Sequence, residues 1–257
     1  MSNITTAQIT SVQHLTDRLF SFTATRDPGL RFQSGQFIML GLEVDRRPLL
    51  RAYSVASASY DDELSFLSIK VPNGPLTSRL QHLRVGDDIL LGRKPTGTLL
   101  PDLLLPGTRL YLFATGTGLA PFLSLIRDPD IYDRFEHVVL VHGCRRVTEL
   151  AFRRMIVEEL PQHELVGDVV RTRLRYIPTV TREPFETQGR ITDLITSGRL
   201  AELCGLSPLD PAQDRAMLCG SPAMLGDLRR LLESRGFTEG SHSEPGQFVV
   251  ERAFVER

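Results

Sequence analysis

Cysteine is scarce in this chain of 257 residues, and tryptophan is absent. The three cysteines, Cys144, Cys204 and Cys219, are odd in number and widely spaced, so they cannot form a disulfide framework. No CxxC pair is present to bind zinc or an iron–sulfur cluster. This cysteine usage fits a reducing cytoplasm best.

Long apolar runs are also missing. No stretch approaches the roughly 20 apolar residues of a membrane helix. The N-terminus has no basic segment followed by an apolar stretch, as a signal peptide would. We therefore expect a cytoplasmic protein without membrane contact. A net charge of −1 gives no electrostatic reason to expect nucleic acid as a partner.

The spacings typical of metal and hydrolase sites are absent too. The six histidines show neither HxxxH nor HExxH, so we expect no metal site, and no GxSxG indicates a serine hydrolase. With 41% hydrophobic and 24% charged residues, the composition is that of an ordinary globular enzyme, and the length permits two domains.

Two patterns divide the chain near residue 100. Residues 1–100 contain short apolar or alternating segments separated by Gly, Pro and Asn, which predicts an antiparallel β-barrel or sandwich. Residues 101–257 alternate apolar strands with amphipathic helices, one of them predicted over Glu149–Leu160. That alternation predicts an α/β domain with a parallel sheet covered on both faces.

The tetrapeptide Arg-Ala-Tyr-Ser at 51–54 lies on a predicted strand. Alternation along the strand puts Arg51 and Tyr53 on one face and Ser54 on the other. Arg51 has the donors to bind a pyrophosphate, Tyr53 can stack on a planar ring, and Ser54 can donate to a ring nitrogen. Taken alone, the tetrapeptide fits an edge strand with a surface arginine at least as well.

A second segment, Asn-Gly-Pro-Leu-Thr-Ser, occupies residues 73–78. Gly74 permits a close backbone approach. The amides and hydroxyls of Thr77 and Ser78, at a predicted helix start, suit a phosphate. An ordinary turn followed by a helix cap is the alternative interpretation.

Residues 116–121, Gly-Thr-Gly-Leu-Ala-Pro, follow an apolar strand and open a helix, which is the context of a nucleotide-binding turn. Gly116 and Gly118 would let a phosphate or a ring approach the backbone. Pro121 suits the first turn of a helix. A purely structural strand–helix turn is equally consistent with this segment.

Basic and polar residues follow the predicted strands further on, at Arg145, Thr181, Arg182 and Arg190. In a dinucleotide-binding domain such groups can surround a 2′-phosphate, because arginine forms several charge-assisted hydrogen bonds in a fixed geometry. An acidic residue there would favour NAD instead. Plain surface arginines are the alternative, since the chain has many.

The pair Cys219-Gly220 ends another predicted strand. In open parallel sheets ligands bind at the carboxyl ends of the strands, so a thiol there would face that crevice. Simple packing is the alternative, because free cysteine is often buried. No base lies nearby in sequence, and we do not expect Cys219 to be a covalent nucleophile.

Taken in order, these motifs resemble those of the ferredoxin–NADP+ reductase family over nearly the whole chain. Members combine an FAD-binding antiparallel barrel with an NADP-binding α/β domain. Residues 51–54 resemble the flavin motif, 73–78 the FAD phosphate segment, and 116–121 the turn near the nicotinamide. Cys219 resembles the family's thiol at a strand end, and Glu251 its acidic residue near the C-terminus.

The resemblance implies a role for each matched position. The residues implied for FAD are Arg51, Tyr53, Ser54, Gly74, Pro75, Leu76, Thr77, Ser78, Thr117, Ala253 and Phe254. The residues implied for NADP(H) are Gly116, Gly118, Pro121, Arg145, Thr181, Arg182 and Arg190. The implied catalytic residues are Ser54 near flavin N5, Cys219 beside the nicotinamide C4, and Glu251, which holds charge or relays a proton.

The C-terminal tail resembles that of the bacterial subclass. Plant-type members end on an aromatic residue that covers the flavin, and Ala253 stands at that place here. Phe254 follows it and is expected to pack on the adenine side of FAD instead.

The implied activity is hydride transfer between NADP(H) and FAD, with single-electron exchange with ferredoxin or flavodoxin by a monomer. One alternative is an NAD(P)H-dependent flavin or ferric reductase. Others are an electron-transfer subunit of a larger complex and a non-enzymatic dinucleotide sensor. Electron-transfer subunits of larger complexes often carry a C-terminal cysteine cluster, which this chain lacks.

Overall fold

One antiparallel sheet and one parallel sheet organise the protein, whose computed structural model describes residues 3–252 without the Arg252 side chain. The predicted fold class, an antiparallel β-barrel domain followed by an α/β domain, is confirmed. The first sheet ends at Gly92 and the second begins at Arg109. The boundary near residue 100 stays a prediction. The expected FAD contacts of Ala253 and Phe254 lie outside the described residues.

The first sheet is an antiparallel half-barrel. Its strands are β1 (Ile4–His14), β2 (Leu19–Thr25), β3 (Phe37–Val44), β4 (Arg47–Ser54), β5 (Glu63–Ile69) and β6 (Asp88–Gly92). They lie in the order β4-β3-β6-β1-β2-β5. A short helix, α1 (Thr77–Leu80), separates β5 from β6.

A tight turn joins β3 to β4. Asp45 and Arg46 have φ angles of 50° and 61°, which are the left-handed values that a two-residue turn between antiparallel strands requires. The turn fixes the register of the hairpin, and Phe37 therefore pairs with Ser54 at its far end. This places Ser54 beside the start of β3.

The second sheet is parallel. Its strands are β7 (Arg109–Thr115), β8 (His137–Cys144), β9 (Leu174–Val180), β10 (Asp214–Gly220) and β11 (Phe248–Arg252), in the order β11-β10-β7-β8-β9. The helices around it are α2 (Ala120–Leu125), α3 (Pro129–Arg134), α4 (Gly167–Arg173), α5 (Ile191–Thr196), α6 (Arg199–Cys204) and α7 (Pro222–Ser234). Strand β7 is buried from Arg109 to Ala114, and residues 110–114 are apolar, as expected for a strand covered on both faces.

The helix predicted over Glu149–Leu160 is confirmed only from residue 153 onward, and there it is not a regular α-helix. A 3₁₀ turn covers Val147–Glu149, and a π-helical segment covers Met155–Glu159 before a second 3₁₀ turn, Leu160–Gln162. Pro161 has no backbone N–H, and its ring crowds the preceding turn, so a regular α-helix cannot continue through this position.

A continuous apolar cluster joins the two halves. Leu19, Ala56 and Leu67 of the first half are buried together with Leu119 and Phe122 of the second. Their burial removes apolar surface from water on both sides of the junction, which stabilises one arrangement of the two sheets. Among the described residues, none of the helices is long and apolar enough to cross a bilayer.

Candidate active site at the carboxyl ends of the parallel strands

Cys219 and Glu251 are direct neighbours at the carboxyl ends of β10 and β11. Parallel pairing places the two residues opposite each other, so their side chains share one face of the sheet. Cys219 is fully buried. Burial and the nearby Glu251 carboxylate raise the pKa of the Cys219 thiol well above its usual value, so the thiol is protonated at neutral pH.

The Glu251 carboxylate is held by the first half of the chain. The amide of Thr98 donates to Oε2 of Glu251 at 3.0 Å, and the Thr98 hydroxyl donates to the carbonyl of Val250 at 2.8 Å. Burial raises the pKa of Glu251 to about 7, and the Thr98 hydrogen bond limits the rise. Glu251 can therefore gain or lose a proton near neutral pH.

Gly97 lies against the same carboxylate. Its φ of +148° is unfavourable for residues with a side chain, and a Cβ there would lie 2.8 Å from Oε2 of Glu251. Glycine at position 97 therefore leaves room for the Glu251 carboxylate.

Ser54 is connected to this region by two successive backbone pairings. It pairs with Phe37, and Phe37 exchanges backbone hydrogen bonds of 2.8 and 3.0 Å with Thr96, just before Gly97 and Thr98. The structure therefore gathers the end of β4 and the ends of β10 and β11 at the junction between the sheets. The three residues predicted to be catalytic come from these strand ends.

The turn after β7 packs directly on Cys219. A Cβ at Gly118 would lie 2.2 Å from the carbonyl oxygen of Cys219, so only glycine permits this approach. The hydroxyl of Thr115 accepts a hydrogen bond of 3.0 Å from the amide of Ser221. The 3₁₀ turn Gly116–Leu119 and the turn after Cys219 thus form one rigid unit.

Within that turn the predicted residues differ in accessibility. Gly116 is exposed, with a φ of +56° and open space where a Cβ would stand. Thr117 and Pro121 are buried. A ligand can approach the backbone at Gly116, whereas the side chains of the other two mainly shape the turn.

Arg51 and Tyr53 lie on one face of β4, as the alternation predicts. Arg51 is half-buried and donates to its neighbour's carbonyl at 2.8 Å, and no ion pair of Arg51 occurs among residues 3–252. Its remaining donors are open to an anion. Tyr53 is only 4% exposed, and its hydroxyl lies 3.1 Å from Oγ of Ser68. Its ring packs edge-on against Phe66 in the core of the first half.

The segment 73–78 forms a turn and the start of α1. The amide of Gly74 donates to the Val71 carbonyl at 3.0 Å, and a Cβ at Gly74 would collide with Oγ1 of Thr77 at 2.2 Å. No side chain caps the start of α1 within the described structure, and the Ser78 amide donates to the Gly74 carbonyl at 3.2 Å, so the Thr77 amide and the Ser78 hydroxyl are the groups left for an anionic ligand. Pro75 is exposed, whereas the side chain of Leu76 is buried in the core, which leaves its backbone for ligand contact.

Two exposed loops bring the predicted 2′-phosphate residues together, one after β8 and one between β9 and α5. The Thr181 amide donates to the Cys144 carbonyl, and the Arg182 amide donates to the Arg145 carbonyl, each at 3.0 Å. Arg190 follows Gly189, whose amide bonds the end of β9 at 3.1 Å. In the part of the chain that the structure describes, no guanidinium of these arginines forms an ion pair, whereas the amides of Arg145 and Arg190 donate to the carboxylates of Glu149 and Asp193 at 2.8 and 3.2 Å.

These features fit FAD and NADP(H). Arginine side chains without ion pairs, together with the Thr77 amide, supply donors for a pyrophosphate and a 2′-phosphate. Gly97 and Gly118 mark places where a Cβ would displace atoms of the site. Sequence inspection missed Thr98 and Thr115. Thr115 could have been found from the sequence, because it is a polar residue at the end of an apolar strand, where its hydroxyl can hydrogen-bond a neighbouring turn.

Comparison with known proteins agrees with this geometry. Residues 4–99 match the family described as the oxidoreductase FAD-binding domain, and residues 112–230 match the oxidoreductase NAD-binding domain. A ferredoxin–NADP reductase of Pseudomonas aeruginosa is 58% identical over 258 residues, covering 100% of both chains. The chain belongs to the ferredoxin–NADP reductase family.

Other members of the ferredoxin–NADP reductase family extend the comparison. A flavodoxin/ferredoxin–NADP reductase of Rhodobacter capsulatus is 54% identical over 96% of this chain and 92% of its own length. The crystal structure of a ferredoxin NADP+ reductase from Neisseria gonorrhoeae with bound FAD and NADP has a TM-score of 0.89 at 32% identity. It aligns over 99% of this chain and 100% of its own. The predicted cofactors, FAD and NADP(H), and the predicted oxidoreductase class are confirmed.

Proposed function

We propose that this protein transfers a hydride between NADP(H) and FAD and exchanges single electrons with ferredoxin or flavodoxin. The observation that carries this proposal is the contact between Glu251 and Thr98, beside Cys219. It joins the flavin-binding half to the nicotinamide-binding half at the strand ends. The names of the Pseudomonas and Rhodobacter relatives support ferredoxin and flavodoxin as carriers.

The first half would hold FAD. Arg51, the Thr77 amide and the Ser78 hydroxyl would bind its phosphates, while Tyr53 and Ser54 would contact the ring system. FAD and NADP(H), when bound, supply the hydride and one-electron chemistry. The protein supplies orientation, because transfer depends steeply on approach and alignment.

The second half would hold NADP(H). Gly116 and Gly118 would admit the nicotinamide end, and Arg145, Arg182 and Arg190 would bind the 2′-phosphate. Thr181, which hydrogen-bonds the end of β8, would support the same loop cluster. Three unpaired guanidinium groups favour a phosphorylated over an unphosphorylated ribose.

Glu251 and Cys219 would act at the reacting centre. With a pKa of about 7, Glu251 can carry a proton at its Oε atoms or release it near neutral pH. The Cys219 thiol is protonated and neutral, and the Cys219 backbone packs against the turn, so Cys219 would shape the nicotinamide site without forming a covalent bond.

Carrier specificity is tested by acceptor kinetics. With NADPH as donor, reduction rates are measured for ferredoxin, flavodoxin and free flavin at matched concentrations. Efficient reduction of a protein carrier supports the proposal, whereas turnover with free flavin or ferric complexes alone indicates a flavin or ferric reductase. We further propose a monomer, which sedimentation equilibrium tests directly.

A further inference from the structure

Arg127 joins the two halves of the protein just after α2. Its Nε donates to the carbonyl of Leu123 at 2.9 Å, which holds the guanidinium against the last turn of its own helix. Nη1 donates to Oδ2 of Asp61 at 3.2 Å, and Nη2 donates to the carbonyl of Ala56. One planar group thus binds the helix of the second half to two points of the first.

Tyr60 adds a contact in the reverse direction. Its hydroxyl donates to the carbonyl of Arg127 at 3.0 Å, and its ring centroid lies 6.1 Å from that of His163. Side chain and backbone of Arg127 are therefore both bound to the segment 56–61. We call this set of contacts among Arg127, Ala56, Tyr60 and Asp61 the clasp.

The first-half side of the clasp is itself fixed. Oδ2 of Asp61 also accepts from the amide of Ala58 at 2.8 Å, and the Asp61 carbonyl accepts from Arg26 at 2.7 Å. The amide of Ala56 donates to the carbonyl of Ser65 at 2.8 Å. A shift of the guanidinium would therefore move the whole segment and the residues attached to it.

Short connections lead from the clasp to both parts of the active site. Ala56 stands two residues after Ser54, and α2 begins directly after the Gly116–Leu119 turn. We propose that Arg127 is a positioning residue that sets the approach of the flavin-binding strand end to the nicotinamide-binding turn. This proposal rests on the proposed function.

The clasp suits positioning better than bulk stabilisation. The side chains of Arg127 and Asp61 are 21% and 30% exposed, so their attraction is partly offset by the cost of removing both charges from water. Arginine also serves three acceptors in one plane. Lysine, a point charge on a flexible stem, cannot reproduce that geometry.

Arg127→Lys in the FAD-loaded protein is the first test. Anaerobic stopped-flow is expected to show flavin reduction by saturating NADPH slowed about tenfold, because small misplacements of reacting groups are costly. The dissociation constant of NADP+, measured by difference absorbance, and the FAD content are expected to stay within about twofold, because Arg127 binds neither cofactor in the proposed site. Amide hydrogen exchange at Ala58 and Asp61 is expected to accelerate without any nucleotide present.

Arg134 provides a matched control. It also bonds one carboxylate and one carbonyl, those of Asp102 at 3.1 Å and Leu104 at 3.0 Å, but all three residues belong to the second half. Arg134→Lys is expected to leave the reduction rate and the exchange at Asp61 unchanged.

Asp61→Asn removes the charge on the first-half side of the clasp and keeps an oxygen that can accept from the Ala58 amide. It is expected to slow reduction as Arg127→Lys does, and the double variant is expected to be no slower than the slower single variant. Four results would overturn the positioning role. They are additive losses in the double variant, a wild-type reduction rate, unchanged exchange at Asp61, and a loss of NADP+ affinity without slower flavin reduction. Failure of the wild-type protein to be reduced by NADPH would reject the proposed function instead, while the exchange measurement would still report on the clasp.

Discussion

Thr98 and Glu251, 153 residues apart in the chain, are joined by a hydrogen bond of 3.0 Å from backbone amide to carboxylate. The bond places an ionisable group of the last strand on the first half of the protein. Burial raises the pKa of Glu251 to about 7, and the Thr98 amide limits that rise. Both the stability and the activity of the protein should therefore respond to pH through this residue.

Glu251→Gln should change the pH dependence of stability. In the folded protein the carboxyl binds its proton more tightly than at its ordinary pKa of 4.5, so the free energy of unfolding falls as pH rises from 4.5 to about 7. We expect this contribution to amount to roughly 2 kcal/mol after allowance for solvent screening. Denaturant titrations at pH 5 and pH 8 measure it. Between pH 5 and pH 8 the free energy of unfolding should decrease less in Glu251→Gln than in the wild type, by that amount. The exposed control Glu244→Gln should show the wild-type decrease.

Gly97→Ala should displace the same carboxylate. The new methyl group would stand 2.8 Å from Oε2 of Glu251, at a backbone φ of +148°. We expect a loss of about 1–3 kcal/mol of stability from the strained backbone, together with slower turnover. Denaturation and steady-state kinetics check both. Gly86→Ala, with a φ of +94° and open surroundings, controls for backbone strain alone and should leave turnover unchanged.

Gly118→Ala and Gly116→Ala should differ sharply in severity. A methyl group at Gly118 would collide with the Cys219 backbone, whereas the surroundings of Gly116 are open and only its φ of +56° is unfavourable. We expect Gly116→Ala to cost about 1 kcal/mol of stability, and Gly118→Ala to abolish most NADPH-dependent reduction. Equal effects on the reduction rate would contradict the contact between the turn and Cys219.

Ser54→Ala and Cys219→Ala should slow flavin reduction more than they weaken FAD retention. Neither side chain is proposed to bind the phosphates, which hold most of the cofactor's charge. Stopped-flow reduction by NADPH and the FAD content after gel filtration are compared for each variant. Wild-type reduction rates in both variants would remove these residues from the catalytic group.

Arg182→Ala or Arg190→Ala should raise KM for NADPH and spare NADH. Each loses charge-assisted hydrogen bonds to the 2′-phosphate, which corresponds to about a tenfold loss of affinity. Arg199→Ala, which removes a surface arginine paired with Glu202 at 3.0 Å, serves as the control. Equal losses with both nucleotides would reject the 2′-phosphate assignment.

Sequence periodicity was sufficient for the two sheets because β7 and β8 each contain a continuous apolar run, over 110–114 and 138–141, and the first half is dense in turn residues. It was only partly right for the segment 149–160, which is π-helical over Met155–Glu159, because Pro161 follows and disfavours a regular α-helix there. The site motifs were visible because they are contiguous in the chain. The Thr98–Glu251 bond and the Arg127 clasp were not, because they join residues far apart in sequence.

The most direct test is the visible absorbance of the purified protein with FAD during anaerobic titration with NADPH and NADH. An FAD spectrum in the protein fraction, bleached by NADPH at lower concentrations than by NADH, is the result we expect. Protein that retains no FAD when folded with the cofactor, or bound FAD that NADPH leaves oxidised, would contradict the proposed hydride transfer.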